Sequence, residues 1–82
     1  RANIQTFELE ERVYLIGENT SEAEMNPEYQ RKRGIEVSDN QPFLSNFSFE
    51  MNENRSYYVE FNLFMDGASE VYRSVHFYVD SK

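Results

Sequence analysis

The stretch "SYYVEFNLFMDGASEVYRSVHFYVD", residues 56–80, constrains the fold of this chain more than any other. Its odd positions read Tyr57, Val59, Phe61, Leu63 and Met65, then Val71, Arg73, Val75, Phe77 and Val79. Side chains alternate faces along a strand, so each set lines one face. Between the two sets, Asp66-Gly67-Ala68-Ser69 signals a turn, and Gly67 can supply a positive φ. Residues of one core must share a face, so odd must pair with odd. That parity excludes loops of two or four residues. A three-residue loop pairs Leu63 with Val71 and Val59 with Val75. A five-residue loop pairs Phe61 with Val75, Glu60 with His76, Tyr58 with Tyr78 and Phe64 with Tyr72.

The even positions form a second, tyrosine-rich side. Tyr is common on ordinary sheet surfaces, where its polar tip stays wet. A ribbon nevertheless needs only one apolar face to join a core. The extra aromatic area on the even side therefore points to a contact surface. Its candidate residues are Tyr58, Phe64, Tyr72, His76 and Tyr78, and the occupant is a protein partner, a second copy or a neighbouring domain. The competing cover is internal, with the 17–34 loop folding over the patch through Met25 and Tyr29.

Strand patterns recur upstream. In "IQTFELEERVYLI" (4–16), Phe7, Leu9, Val13 and Leu15 share a parity, with Glu8 and Glu10 opposite. Ile4 breaks this parity, so a bulge is expected near Gln5–Thr6. Glu11 falls on the apolar side, so either a second bulge lies there or the segment is two strands. "GIEVSD" (34–39) reads as a short strand. "FLSNFSFEM" (43–51) alternates Phe43, Phe47, Phe49 and Met51 on one side, with Ser45 as the polar exception. Residues 17–34 show no strand pattern. Ser21-Glu22-Ala23-Glu24 fits a capping box, and Asn26-Pro27-Glu28 fits the start of one helical turn. A long loop with a short helix is expected there, mobile and open to proteolysis at Arg31-Lys32-Arg33. Together these patterns predict an all-β protein: a small antiparallel β-sandwich, immunoglobulin-like, of about six to seven strands.

A chain of 82 residues supports one domain. Folding at this mass buries roughly 60–65% of the unfolded surface, which makes for a modest core. Arg1 stands where a start Met would, so a module or processed fragment of a longer protein is expected. The net charge of −7 disfavours nucleic acid and anionic membranes. No run is long and apolar enough to insert into a bilayer. There is no cysteine, so thiol chemistry and thiolate metal sites are excluded.

No constellation of reactive residues stands out. His76 is the sole histidine. Ser74 and Glu60 share its face, but side chains on an open sheet have no pocket and no oxyanion donors. No calcium-loop pattern or glycine-rich phosphate loop occurs. Neither an enzyme nor a cofactor or metal is expected. Arg31, Lys32 and Arg33 form the one basic cluster, either a contact for an acidic partner or a counter-charge to nearby glutamates. Asn19, Asn46 and Asn54 each begin an Asn-x-Ser/Thr pattern, which carries meaning only in a secretory pathway.

The expected function is therefore a non-catalytic protein-interaction or structural module. One alternative is a small acidic inhibitor mimicking nucleic-acid charge, for which Glu8 and Glu10 would lie roughly 6.5–7 Å apart on a strand. Another is a small chaperone-like β protein that binds apolar clients.

Overall fold

Four long strands make one antiparallel sheet in the computed structural model, which describes residues 3–18, 20 and 22–80. They are β1 (Ile4–Leu15), β2 (Tyr29–Ser38), β3 (Ser56–Met65) and β4 (Val71–Asp80), in the order β2-β1-β3-β4. β1 and β3 are internal, and β2 and β4 are the edges. The described residues contain neither a helix nor a second sheet. The all-β antiparallel expectation holds, but there are four strands where six or seven were expected.

β1 is one continuous strand. Its pairing runs without interruption from Ile4↔Ser38 to Val13↔Tyr29 on one side and from Phe7↔Met65 to Leu15↔Tyr57 on the other. The bulges expected at Gln5–Thr6 and Glu11 do not occur. Ile4 simply lies in the exposed end of the strand, and the buried Glu11 is accommodated by an ion pair with the partly exposed Arg31, described below.

β2 begins five residues earlier than the sequence suggests. Arg31, Lys32 and Arg33 pair with Glu11, Glu10 and Leu9 of β1, so they lie in a strand and not in a loop. The connection that remains, residues 16–28, stays close to β1. The Glu24 and Glu28 amides donate to the carbonyls of Leu15 and Val13 at 2.8 and 2.7 Å. Those bonds tie both ends of residues 24–28 to β1, and the chain between them bends without forming the helical turn expected at Asn26-Pro27-Glu28. Part of the expected capping box, at Ser21, and the Asn19 pattern lie outside the described residues.

The 43–51 segment keeps its alternation but forms no strand. It lies across the odd face of the sheet, where its backbone has no ladder to join. Phe47 stacks on Tyr29 with ring centroids 5.0 Å apart, and Phe49 meets Tyr57 edge-on at 5.6 Å. Phe47, Phe49 and Met51 thereby cover the core of Val13, Leu15, Tyr57 and Val59. One extended segment supplies the layer that a second sheet would supply in a sandwich. The result is a slab of 52 × 24 × 15 Å. Its radius of gyration is 15.0 Å, against roughly 12 Å for a compact domain of this length.

Candidate interaction surface

β3 and β4 are joined by residues 66–70, the five-residue loop allowed by parity. Gly67 takes φ 79°, and the Ala68 amide closes the turn on the Met65 carbonyl. Phe61↔Val75, Glu60↔His76 and Tyr58↔Tyr78 pair as expected. Near the loop the register shifts. Leu63 pairs with Arg73 and Phe64 with Val71, so Tyr72 is the extra residue of a bulge. The bulge corrects the expected Phe64–Tyr72 pair. It sends the Tyr72 ring to Phe7, 5.9 Å away on the odd face.

β4 is exposed on both faces. Val75 is 60% exposed, Phe77 44%, Val71 48%, Tyr72 49% and Tyr78 65%. Parity predicts the odd positions of β4 as core, yet among them only Val79 packs against the core cluster. The covering segment explains this difference. Its aromatic residues sit over β1, the start of β2 and β3, and Phe61 is the last β3 ring that Phe47 reaches, at 5.8 Å. Phe77 beyond it touches Phe61, 5.9 Å away, and is open to solvent on its far side.

The backbone of β4 is also open on one side. Outside the ladder with β3, the hydrogen bonds fix which groups point where. Ile16 donates to the Ser56 carbonyl, and the Leu15 and Val13 carbonyls accept from the 16–28 connection on the opposite side of β1. Even residues of β1 and β3 therefore face each other, and odd residues of β3 face β4. By the alternation of an antiparallel ladder, Ser74, His76 and Tyr78 direct their N–H and C=O groups away from the sheet.

The even face carries two features. Tyr58 lies 5.3 Å from Tyr78, 5.5 Å from His76 and 6.1 Å from Tyr14, ring centre to ring centre. Partial burial, and then the nearby Glu60 carboxylate, raise the Tyr58 pKa. Next to this cluster runs a polar network. Arg12 and Gln30 both donate to Glu10 Oε2 at 2.9 Å. Asn62 donates to Glu60 Oε1 at 3.1 Å and accepts from Ser74 Oγ at 2.8 Å. Burial pushes the Glu10 pKa up, but the bonds from Gln30, Arg12 and Asn62 outweigh it and hold the carboxyl below its ordinary range. Glu10 is thus a buried network member and not an exposed partner to Glu8. The Ser74 hydroxyl is committed to Asn62.

The sequence-predicted contact residues are only partly brought together. Tyr58, His76 and Tyr78 form one cluster. Phe64 is buried on the same face under the Lys32 ammonium, 4.7 Å from its ring centre. Tyr72 belongs to the other face. The basic cluster is divided as well. Arg31 Nε donates to Glu11 Oε1 at 2.6 Å, and Arg33 Nη2 donates to Ser45 Oγ at 2.6 Å, both on the odd face. Lys32 points to the even face. Met25 is almost fully exposed and Tyr29 stacks on Phe47, so neither covers the even-face tyrosines. Val75 and Phe77 were assigned to the core by sequence, and their exposure has no local signal.

The chain matches no protein-family model, no curated protein and no solved structure.

Proposed function

We propose that this chain is a non-catalytic protein-interaction module that binds an extended strand of a protein partner along β4. The single observation that carries this reading is that β4 is an edge strand exposed on both faces, with Val75, Phe77 and Tyr78 uncovered. Natural sheets blunt such edges with charge, proline or a covering loop. Between its ends β4 carries neither proline nor a covering loop, and Arg73 is its single formal charge. An added strand would gain backbone bonds from Ser74, His76 and Tyr78 and side-chain contacts from Val75 and Phe77. The added strand would extend the sheet in its own plane beyond β4, and its side chains would flank Val75 and Phe77, which residues 43–51 leave uncovered.

Hydrogen exchange tests this reading. In dilute protein the amides of Ser74, His76 and Tyr78 should exchange quickly, while those of Val75 and Phe77 stay protected by β3. A short peptide alternating valine and threonine should slow the first set. His76→Pro removes an outward amide without removing a bond to β3, and should abolish the effect of the peptide. Protection of all three outward amides in the dilute monomer would mean that the chain covers its own edge, and the reading would fail.

A further inference from the structure

We propose that the occupant of the β4 edge is β4 of a second copy, paired antiparallel about a two-fold axis at Val75. This inference rests on the reading that β4 accepts an added strand, and commits it to one partner. The outward backbone groups belong to even residues, so any antiparallel pairing that keeps the faces aligned joins even to even and odd to odd. With the axis at Val75, Ser74 lies opposite His76 of the second copy and Arg73 opposite Phe77, which ends the regular part of the strand at the Tyr72 bulge. Val75 meets its own counterpart. It occupies the non-hydrogen-bonded position, where Cα atoms approach to about 4.5 Å and side chains pack closest. These are favourable cross-strand pairs: valine on valine and guanidinium on a ring.

Charge supports a symmetric pair. The chain carries −7, yet from Val71 to Val79 the single formal charge is Arg73. Two copies of this strand can meet without like charges in the centre. Only at the ends do they oppose, Glu70 against Asp80 of the second copy. The other edge differs. β2 carries Arg31, Lys32, Arg33 and Glu36 within ten residues. A β4-to-β2 contact would set Val75 and Phe77 against a charged strand, so pairing should close as a dimer and not propagate as a fibre.

The surface area is of the right size. The chain exposes 6301 Å², against roughly 5,200 Å² for a compact monomer of this mass. The surplus of roughly 1,100 Å² is comparable with the ~800 Å² that each partner buries in a standard interface.

The test is solution mass combined with cysteine cross-linking. Sedimentation equilibrium of the 82-residue chain should give twice its 9.8 kDa. The dimer fraction should rise with salt, which screens the end charges. Because the sequence has no cysteine, Val75→Cys introduces a sole thiol, and mild oxidation should yield a covalent dimer. His76→Cys should not. Val75→Lys sets two ammonium groups across the axis and should leave a folded monomer.

A monomer at all concentrations overturns the inference. If its outward amides still exchange quickly and respond to the valine–threonine peptide, the β4 reading survives alone. If they are protected, both fail. A dimer that cross-links through His76→Cys and not Val75→Cys overturns the pairing proposed.

Discussion

Ser45 donates its hydroxyl to Glu11 Oε2 at 2.8 Å, joining the two residues that break the apolar pattern of their own segments. Glu11 has no exposed surface, and Arg31 closes its other oxygen. Arg31 also donates to the Asn46 carbonyl at 2.9 Å. The cluster pins the 43–51 segment to the odd face. Burial pushes the Glu11 pKa up, but hydrogen bonds from Arg31 and Ser45, and the charges of Arg31 and Arg33, outweigh this and lower it.

The lowered pKa sets the acid sensitivity of the fold. A Glu whose folded pKa lies below its unfolded value of about 4.3 stabilises fully above that pH, and the stabilisation is lost as pH falls through the folded value. Glu10 acts in the same direction. Thermal melts should therefore be level near neutrality and fall in acid. Glu11→Gln should lower the neutral melting temperature and flatten the acid limb. An unchanged acid limb would show that Glu11 is not the group responsible.

Truncations should separate the true core from the apparent one. Tyr57 is buried, and its hydroxyl accepts from the Asn52 amide at 2.7 Å. Tyr57→Ala should cost about 3–5 kcal/mol, as large aromatic truncations do. Tyr57→Phe should cost about 0.5–1.5 kcal/mol, the net value of one hydrogen bond. Phe61→Ala should cost less than Tyr57→Ala, because Phe61 is only half-buried at the limit of the cover. Urea unfolding of the three variants gives the order directly.

Proteolysis should follow the observed boundaries of β2. A glutamate-specific protease should cleave first in the connection, at Glu18, Glu22 or Glu24. Trypsin should spare Arg31, Lys32 and Arg33, whose backbone pairs with β1. Early tryptic cuts in that triplet would contradict a strand from Tyr29.

Gly67 tests the hairpin turn. A Cβ there would meet nothing within 4 Å, but the φ of 79° is unfavourable for any side chain. Gly67→Ala should cost about 1 kcal/mol through the backbone alone. A neutral result would require a different turn conformation.

Much of the sheet was legible in the sequence, because its signal is local. Parity in residues 57–79 narrowed the loop to three or five residues and set odd against odd, and the structure takes the five-residue register up to Leu63. The bulge beyond it was not legible, since one extra residue at Tyr72 leaves the alternation of residue types intact. The first half of β2 was hidden because Arg31 and Arg33 occupy positions that pattern reading reserves for apolar side chains. Their partners, Glu11 and Ser45, are far away in the chain. Each of the four looked like an exception, and only together do they satisfy one another. The exposure of Val75 and Phe77 depends on where residues 43–51 stop, and no residue near β4 records that.

The strand order β2-β1-β3-β4 also fixes the sequence of events in folding. β3 and β4 are joined by a tight loop, whereas residues 16–55 separate β1 from β3. Closing the longer loop costs more chain entropy, and hairpins form in roughly 1–10 μs, well ahead of non-local pairing. The hairpin should therefore exist before β1 docks on it. In that interval β3 is open along the side that β1 later takes, so the nascent ribbon has two adhesive borders where the finished sheet has one. Refolding yield should fall as protein concentration rises, and the hairpin itself should be the species that is lost.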